Sequence, residues 1–305
     1  ESIIAAEQPD LVVNYAIPIT WDASKRLPNY DRISRAGLGA FTPIQVCAPR
    51  VIARAIAGTV PEALYMVGNL PDITVPVLCG YAGTAEQARP ICGAGNVGLI
   101  EAAIRSQVAR EYGFAFTDVT VSLVAHHVHW VAPREPGYRN DAPFLLKVEA
   151  GGDDITESLG DSRALMNRAI NENYEADAGF STTTGMLASR VALALLAKGE
   201  ERVLMHTPAP NGMPGGYPVS IGGGTIELDL PRDWSVNEAE HAMKQAHQRD
   251  GLDRIDADGT VHFADYAQDI LREEIGLDLP AVVGPGDMEA VGRAQIERLN
   301  TLFAS

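Results

Sequence analysis

Residues 120–131, TVSLVAHHVHWV, decide how the rest of this chain can be arranged. The first half is apolar without alternation, which is typical of a strand buried at the centre of a fold. Three histidines follow within four residues: His126, His127 and His129. Histidine titrates near physiological pH and is the commonest side chain for proton transfer. The stretch therefore predicts a central strand that ends in a histidine cluster, either catalytic or structural.

The composition restricts the class of protein and its partners. The 305 residues are 46% hydrophobic and 21% charged, which is typical of a globular chain. A net charge of −16 argues against nucleic acid or an anionic membrane as partner, and favours a small-molecule substrate. The three cysteines, Cys47, Cys79 and Cys92, have no CxxC spacing and are odd in number. Reduced thiols fit best, so we expect a cytoplasmic protein.

Three apolar segments in the first part of the chain predict a parallel sheet. They lie at residues 11–16, 63–70 and 89–93, and a helix that opens at Thr42 and Pro43 separates the first two. The order strand, helix, strand requires a parallel pair. Asn14 and Asn69 then lie at the carboxyl ends of neighbouring strands, where open α/β sheets bind ligands. Asparagine is also common in turns, so a purely structural role stays open.

The loop at residues 18–38 is unusually basic for an acidic protein. It carries Lys25, Arg26, Arg32 and Arg35. One interpretation is a solvated loop, and the other is a lid that closes over an anionic ligand.

The remainder predicts a second unit of mixed helices and strands. A helix covers residues 99–112, and the hydroxyl residues 181–184 are expected to cap an apolar helix at 185–197. The glycine run 222–224 predicts a hairpin. We expect a first domain at residues 1–94 and a second at 95–305.

The order of these elements resembles the lactate/malate dehydrogenases and their relatives, the NAD-dependent family 4 glycosidases. The resemblance extends over most of the chain and is carried by order and spacing more than by any one motif. The matching stretches are LVVNYA, YMVGNLPD, ICGAGNVGLIEAAIRSQVAREYG, TVSLVAHHVHW, STTTGMLASRVALAL and GGYPVSIGGGTIELDL.

The resemblance implies an α/β fold, in which a partial Rossmann-like parallel sheet is followed by an α+β domain like the C-terminal domain of these enzymes. It also implies NAD or NADP as cofactor, a homo-oligomer, and His127 as the acid/base, with His126 or His129 orienting it. The implied cofactor contacts are Asn14, Asn69 and Asn96. The implied substrate contacts are Arg26, Arg32, Arg35, Arg105 and Thr184.

Departures from the family pattern limit what can be transferred. The family's opening βαβ unit would precede Glu1, so we expect the nucleotide-binding half to be incomplete in this chain. The Asp that pairs with the catalytic His, and the Arg that binds a substrate carboxylate, are replaced by Gly98 and Glu101. Without that Arg, a simple 2-hydroxy acid is not the expected substrate.

The family 4 glycosidases bind a divalent metal with a Cys and a His. Trp130 matches their His-x-x-Trp motif, but their Cys position falls near Gly95. No thiolate or carboxylate partner for the histidines is evident, so we expect no metal.

Three functions follow from these observations. The first is an NAD(P)-dependent oxidoreductase that acts on a carbinol of a small hydroxy compound or sugar. The second is a family 4-like NAD-dependent glycoside hydrolase. The third is a non-catalytic divergent subunit that keeps the fold.

Overall fold

The computed structural model describes residues 2–81, 91–135, 137–174, 177–199 and 201–304. Residues 89 and 90, the start of the third predicted strand, lie outside the described residues.

The described residues form helices and strands in alternation through the first third, and in mixed order afterwards. The helices are α1 (Ser2–Glu7), α2 (Trp21–Ser24), α3 (Tyr30–Ile33), α4 (Thr42–Thr59), α5 (Pro71–Tyr81), α6 (Asn96–Tyr112), α7 (His127–Val131), α8 (Ser162–Asn173), α9 (Asp177–Leu196), α10 (Val236–Gln248), α11 (Asp265–Ile275) and α12 (Met288–Phe303). The strands are β1 (Leu11–Asn14), β2 (Leu64–Val67), β3 (Ile91–Gly93), β4 (Val119–Val124), β5 (Leu145–Ala150), β6 (Asp153–Asp154), β7 (Val203–Pro208), β8 (Gly216–Gly222), β9 (Thr225–Leu228), β10 (Leu252–Ile255), β11 (Val261–Phe263) and β12 (Val282–Val283).

The predicted parallel sheet is confirmed. Strands β1, β2 and β3 are neighbours in that order, and Leu11 pairs with Leu64 while Tyr65 pairs with Ile91. All four residues of β2 are buried, as expected for a central parallel strand covered on both faces. The carboxyl ends of β1 and β2 therefore lie side by side.

The other described strands form three antiparallel sheets, β4-β5-β6, β7-β8-β9 and β10-β11-β12. A bridge between Ala125 and Gly216 connects the end of β4 to the start of β8. The predicted glycine hairpin joins β8 to β9, and both turn residues, Gly223 and Gly224, have positive φ. Such a turn favours glycine because other residues rarely adopt this conformation.

The histidines do not extend a strand as the sequence suggested. Strand β4 ends at Val124, and the histidines form the short helix α7. His126 caps this helix: its ring accepts a hydrogen bond from the Val128 N–H, while the His129 ring accepts one from the His126 N–H. These reciprocal bonds satisfy amides that a helix start leaves without partners, so the chain turns sharply here.

The expected hydroxyl cap at residues 181–184 is also wrong. Helix α9 already begins at Asp177, so these residues lie inside the helix.

Two hydrophobic cores divide the molecule. The first packs α6, α8, α9 and α10 against the β4 and β8 sheets. The second combines α4, β2 and α5 with α11 and α12. This second core draws residues from both sides of position 94, and the predicted domain boundary there stays a prediction.

None of the helices described has the length and apolar character needed to cross a membrane. Most of α6 is buried in the first core, whereas α9 leaves Met186 and Leu193 exposed. The homo-oligomer stays a prediction.

The close approach of Gly37 to residue 250 predicts a strong local effect on stability. Gly37 has φ 84° and ψ 154°, and a β-carbon there would collide with the Asp250 backbone. We expect Gly37→Ala to lower the free energy of unfolding by about 2–4 kcal/mol, through strain and overlap. Urea denaturation measures the change. The matched control is Gly58→Ala in α4, where nothing lies within 4 Å and the free energy should be unchanged or rise by about 0.5–1 kcal/mol. Equal effects of the two substitutions would contradict the packing.

Candidate active site

His127 lies between two buried carboxylates. Its Nδ1 atom is 3.3 Å from Oδ2 of Asp72, and its Nε2 atom is 2.8 Å from Oδ2 of Asp250. All three side chains have no exposed surface. Charged groups that are removed from water in this way are stable only when they are paired.

The two contacts of the ring are not equivalent. The contact between His127 Nδ1 and Asp72 has hydrogen-bond geometry. Nε2 and the Asp250 oxygen are within ion-pair distance, but neither atom has a hydrogen bond of acceptable geometry within the described structure. The contact between Nε2 and Asp250 is therefore an ion pair at 2.8 Å inside the protein.

Asp72 is positioned by the start of α5. It lies in the first turn of that helix, where the partial positive charge of the helix end stabilises a carboxylate. Its backbone carbonyl accepts hydrogen bonds from the Gly215 N–H and from Nε2 of His247, each at 3.3 Å. These bonds attach the carboxyl edge of the parallel sheet to the second half of the chain.

Asp250 follows α10 and is positioned from the opposite side. Its Oδ1 atom accepts hydrogen bonds from the Leu38 N–H, at 2.9 Å, and from the Tyr138 hydroxyl. Gly37 and Gly39, on either side of Leu38, allow the backbone to approach residue 250 closely. The end of the basic loop is thus attached to the carboxylate beside His127.

The carboxylates keep His127 protonated. Burial alone lowers the pKa of a histidine, but the charge of Asp250 and then that of Asp72 outweigh it and raise the pKa of His127 to about 10. The ring is therefore an imidazolium at neutral pH, ready to donate a proton.

The histidines around it are neutral. Burial lowers the pKa of His129 and of His247 to about 4 each. Burial, reinforced by neighbouring histidines, also holds the pKa of His126 well below its usual range. The His126 ring centroid is 4.1 Å from that of His127 and 4.9 Å from that of His247. One charged imidazole thus lies among uncharged ones.

The expectation that His126 or His129 orients His127 through its ring nitrogens is wrong. Asp72 and Asp250 make those contacts. His129 instead caps α7 and approaches the carbonyl oxygen of Ala142 with Nε2, at 3.1 Å. Its role in the described structure is to hold the turn.

His127 contributes to the wall of a cavity of about 720 Å³, a size typical of small-molecule sites. The ring has no accessible surface, so it belongs to the part of the wall that bulk water does not reach. Asn69, Asn96, Thr184 and Trp130 line the same cavity. The structure therefore brings together the predicted acid/base, two of the three predicted cofactor residues and one predicted substrate residue.

The remaining predicted residues lie elsewhere. Asn14 is buried at the end of β1, where its Oδ1 accepts the Ala16 N–H. Arg32 pairs with Glu274, and Arg105 donates to the Phe116 carbonyl oxygen. The cavity wall includes none of Asn14, Arg26, Arg32, Arg35, Arg105, His126 and His129.

The basic loop covers the cavity without supplying arginines to it. Residues between 15 and 38 form a large part of the wall, and Lys25 is the cation they place there. Lys25 is paired with Glu135 at 2.9 Å. The lid interpretation agrees with this position, but its predicted arginines do not reach a ligand in the cavity.

A metal ion has a plausible set of ligands here, contrary to the reason given from the sequence. The sequence showed no carboxylate partner for the histidines. In the structure, His126, His127 and Asp250 each offer one ligand atom, and these three atoms lie within 4.8 Å of one another. Nε2 of His126 and of His127 and Oδ2 of Asp250 lack hydrogen bonds within the described structure. Two imidazoles and a carboxylate suit zinc, iron or manganese.

The two carboxylates were missed for different reasons. Asp72 directly follows the Asn-Leu-Pro segment at the end of β2, so its position at the ligand edge was a usable signal. Asp250 precedes a glycine between α10 and β10, and nothing in its local sequence indicates that it meets His127. Tyr138 and His247 give no local signal either.

No protein-family model and no curated protein matches this chain. Solved structures do match. The malate dehydrogenase from Picrophilus torridus is 16% identical with a TM-score of 0.55, covering 89% of this chain and 79% of that one. Cryptosporidium parvum malate dehydrogenase is 17% identical with a TM-score of 0.50, covering 89% and 79%. The lactate dehydrogenase from Cryptosporidium parvum, complexed with lactic acid and nicotinamide adenine dinucleotide, is 16% identical with a TM-score of 0.51, covering 81% and 75%.

The chain has a lactate/malate dehydrogenase-like fold. It is a mixed α/β protein with a parallel sheet, as the resemblance implied. The partial Rossmann arrangement and the link to the family 4 glycosidases stay predictions.

Removing one carboxylate from His127 should destabilise the protein in a pH-dependent way. We expect Asp250→Asn to lower the free energy of unfolding by about 3–5 kcal/mol at pH 6, because a buried charge loses its partner. A raised histidine pKa stabilises fully below the unfolded value of 6.5, and this stabilisation is lost as the pH rises through about 10. The difference from the parent chain should therefore shrink toward pH 10, as measured by urea denaturation.

The matched control is Asp253→Asn, which removes an exposed carboxylate paired with the exposed Arg254. It should change the free energy by less than about 0.5 kcal/mol at any pH. An Asp250→Asn effect as small as this would contradict the buried ion pair.

Proposed function

We propose that this chain is an NAD(P)-dependent oxidoreductase that acts on a carbinol of a small hydroxy compound or sugar. The observation that carries the proposal is the geometry of His127 in the cavity wall. One ring nitrogen is hydrogen-bonded to Asp72, and the other is held 2.8 Å from the carboxylate of Asp250. A general acid/base needs one partner that orients the ring, and the second nitrogen has to turn from Asp250 to reach the oxygen of a substrate.

The proton chemistry follows from this geometry. In reduction, the protonated His127 donates its Nε2 proton to the oxygen of a ketone or aldehyde as the carbonyl carbon receives a hydride. In oxidation, the neutral ring takes the hydroxyl proton as the same carbon loses its hydride. A bound nicotinamide supplies or accepts that hydride. Since the pKa of His127 is raised to about 10, the group is at neutral pH in the acid form that reduction requires.

Asn69 and Asn96 support a nicotinamide cofactor by their position. Asn69 follows β2 and Asn96 opens α6 after β3, both at the carboxyl edge of the parallel sheet, where dinucleotides bind in open α/β folds. Asn69 donates its Nδ2 hydrogen to the Gln45 carbonyl at 2.9 Å, which fixes its amide orientation. Its Oδ1 atom has no hydrogen bond within the described structure and could accept one from a carboxamide or ribose hydroxyl. Two of the structures of similar fold are complexes with this cofactor, one with NADH and one with nicotinamide adenine dinucleotide.

A second candidate function is a metal-assisted glycoside hydrolase of the family 4 kind, which uses the same nicotinamide. The three converging ligand atoms of His126, His127 and Asp250 favour it. A divalent ion there would take the place of the proton between His127 and Asp250, and would supply Lewis-acid chemistry to a sugar hydroxyl.

The remaining partners are part of the proposal. We propose a small-molecule substrate, a homo-oligomer, no nucleic acid or membrane partner, and a cytoplasmic protein.

Removing the acid/base should separate chemistry from cofactor binding. NADH should quench Trp130 emission saturably in both the parent chain and His127→Gln, because Trp130 lines the cavity and the substitution leaves Asn69 in place. Reduction of carbonyl compounds, followed as loss of NADH absorbance, should fall about 10²–10⁴-fold in His127→Gln. The control, His241→Gln, changes an exposed histidine and should leave the rate unaltered. NADH binding with no turnover by the parent chain would point to the non-catalytic subunit, and no NADH binding would exclude both enzymatic functions.

Metal dependence should distinguish the two enzymes. Under the oxidoreductase proposal, prolonged dialysis against a chelator leaves the rate of carbonyl reduction within about twofold of the untreated protein, because a protonated His127 needs no ion. Under the hydrolase, chelation abolishes cleavage of aryl glycosides and Mn²⁺ or Zn²⁺ restores it. His126→Gln is the informative variant, because it removes a ligand atom and keeps both carboxylates of His127. A chelator-sensitive hydrolysis that survives in this variant would contradict the ligand set.

A further inference from the structure

The lysine and the arginine of the cavity wall already have contacts within the protein. Lys25 pairs with Glu135, whose other carboxylate oxygen accepts a hydrogen bond from the Tyr30 hydroxyl at 3.3 Å. Arg134 lies with its guanidinium 4.8 Å from the Trp130 ring centroid, and donates to the carbonyl oxygen of Tyr174. Within the described structure, both Lys25 and Arg134 therefore already have a partner inside the protein.

His127 does not supply the missing charge. Its ring already faces two carboxyl groups, Asp72 at 3.3 Å and Asp250 at 2.8 Å. A substrate carboxylate brought next to the ring would lie close to both of these groups, and like charges at short range in a buried site repel strongly.

Two of the buried polar atoms that lack partners in the cavity residues are amide oxygens. Oδ1 of Asn69 and Oε1 of Gln45 have no hydrogen bonds within the described structure, and both residues line the cavity. Unpaired buried oxygens reject a ligand that brings further oxygens without hydrogens. They favour a ligand that brings O–H or N–H groups.

The rest of the wall is mostly apolar. Its side chains come from the loop over the cavity and the turn before α4, from α4, from the segment after β2 and from α9: Leu27, Ile33, Phe41, Ile44, Leu70 and Ala188. Such a surface gains by covering hydrocarbon, and gives little to a ligand that carries a hydroxyl on every carbon.

We propose that the cavity binds an uncharged, largely apolar substrate, whose carbonyl or carbinol oxygen meets His127 and whose O–H or N–H donor meets Asn69 or Gln45. This inference rests on the proposed function for the chemistry at His127, and adds the class of substrate. The step is balanced: in reduction the carbonyl carbon gains a hydride from NADH and the oxygen gains the proton of His127, giving the alcohol and NAD⁺.

Three ketones of similar size test the class. 2-Oxohexanamide is uncharged and has an N–H donor, 2-oxohexanoate has the same shape with a negative charge, and 2-heptanone has neither feature. We expect kcat/KM for NADH-dependent reduction to be highest for the amide, and lower by about 10- to 100-fold for the carboxylate, the range that one charge-assisted contact is worth. A preference for 2-oxohexanoate would overturn the inference.

A substitution in the wall should reverse the preference. Glu135→Gln leaves Lys25 without its ionic partner, so kcat/KM for 2-oxohexanoate should rise about tenfold while that for the amide changes little. Glu274→Gln is the matched control, because it frees Arg32 outside the cavity and should change neither value. If Glu135→Gln does not raise kcat/KM for 2-oxohexanoate, the pairing of Lys25 with Glu135 is not what excludes the carboxylate, and the inference fails.

A binding measurement separates failure of this inference from failure of the proposed function. Thermal unfolding of the protein is followed with octanamide and with octanoate, which have no ketone or aldehyde group to reduce. If no ketone is reduced but octanamide raises Tm more than octanoate does, the reaction is wrong and the class of ligand stands. If octanoate raises Tm more, or neither compound does, the class of ligand is wrong whatever the reaction.

Discussion

The pairing of His127 with two buried carboxylates is the interaction on which the rest of this structure depends. Charged groups without exposed surface are tolerated only where each has a partner, and here Asp72 and Asp250 reach the ring from opposite sides. Every nearby contact serves this arrangement. The start of α5 supports one carboxylate, the loop before α4 and Tyr138 support the other, and α7 turns the ring between them. The three neighbouring histidines, His126, His129 and His247, stay neutral, so the positive charge is confined to His127.

The dehydrogenase-like fold is kept, but the source of the carboxylates differs from what the sequence suggested. The resemblance led to position 98, where this chain has glycine, and hence to the conclusion that the acid had been lost. The Gly98 backbone instead packs near His206 and Leu187, and the carboxylates that meet His127 come from two other elements. A catalytic carboxylate can move to another strand or loop provided that its oxygen arrives at the same atom, because the chemistry depends on the atom's place and not on its position in the chain.

The sequence predicted what local patterns control. The apolar runs at β1 and β2 and the glycine pair between β8 and β9 fix strands, parallel order and a turn through short-range sterics and burial. The prediction from the sequence failed where one pattern fits two different local structures. The strand was expected to continue into the histidines, because a capping box built from histidines is not expected from the usual capping residues. Asp250 could not have been found, since it meets His127 across 123 positions of chain, the difference between the two residue numbers. The sequence of the basic loop likewise does not show whether its arginines point into the cavity or away from it.

The second core joins residues before position 80 to residues after position 250, and Asp250 lies at that junction. During synthesis the first two-thirds of the chain can leave the ribosome and begin to pack before residue 250 exists. In that interval His127 has Asp72 and lacks its second carboxylate, so its ring is held less firmly in the charged form. The buried arrangement of His127 between two carboxylates is therefore complete only when the late segments close the second core.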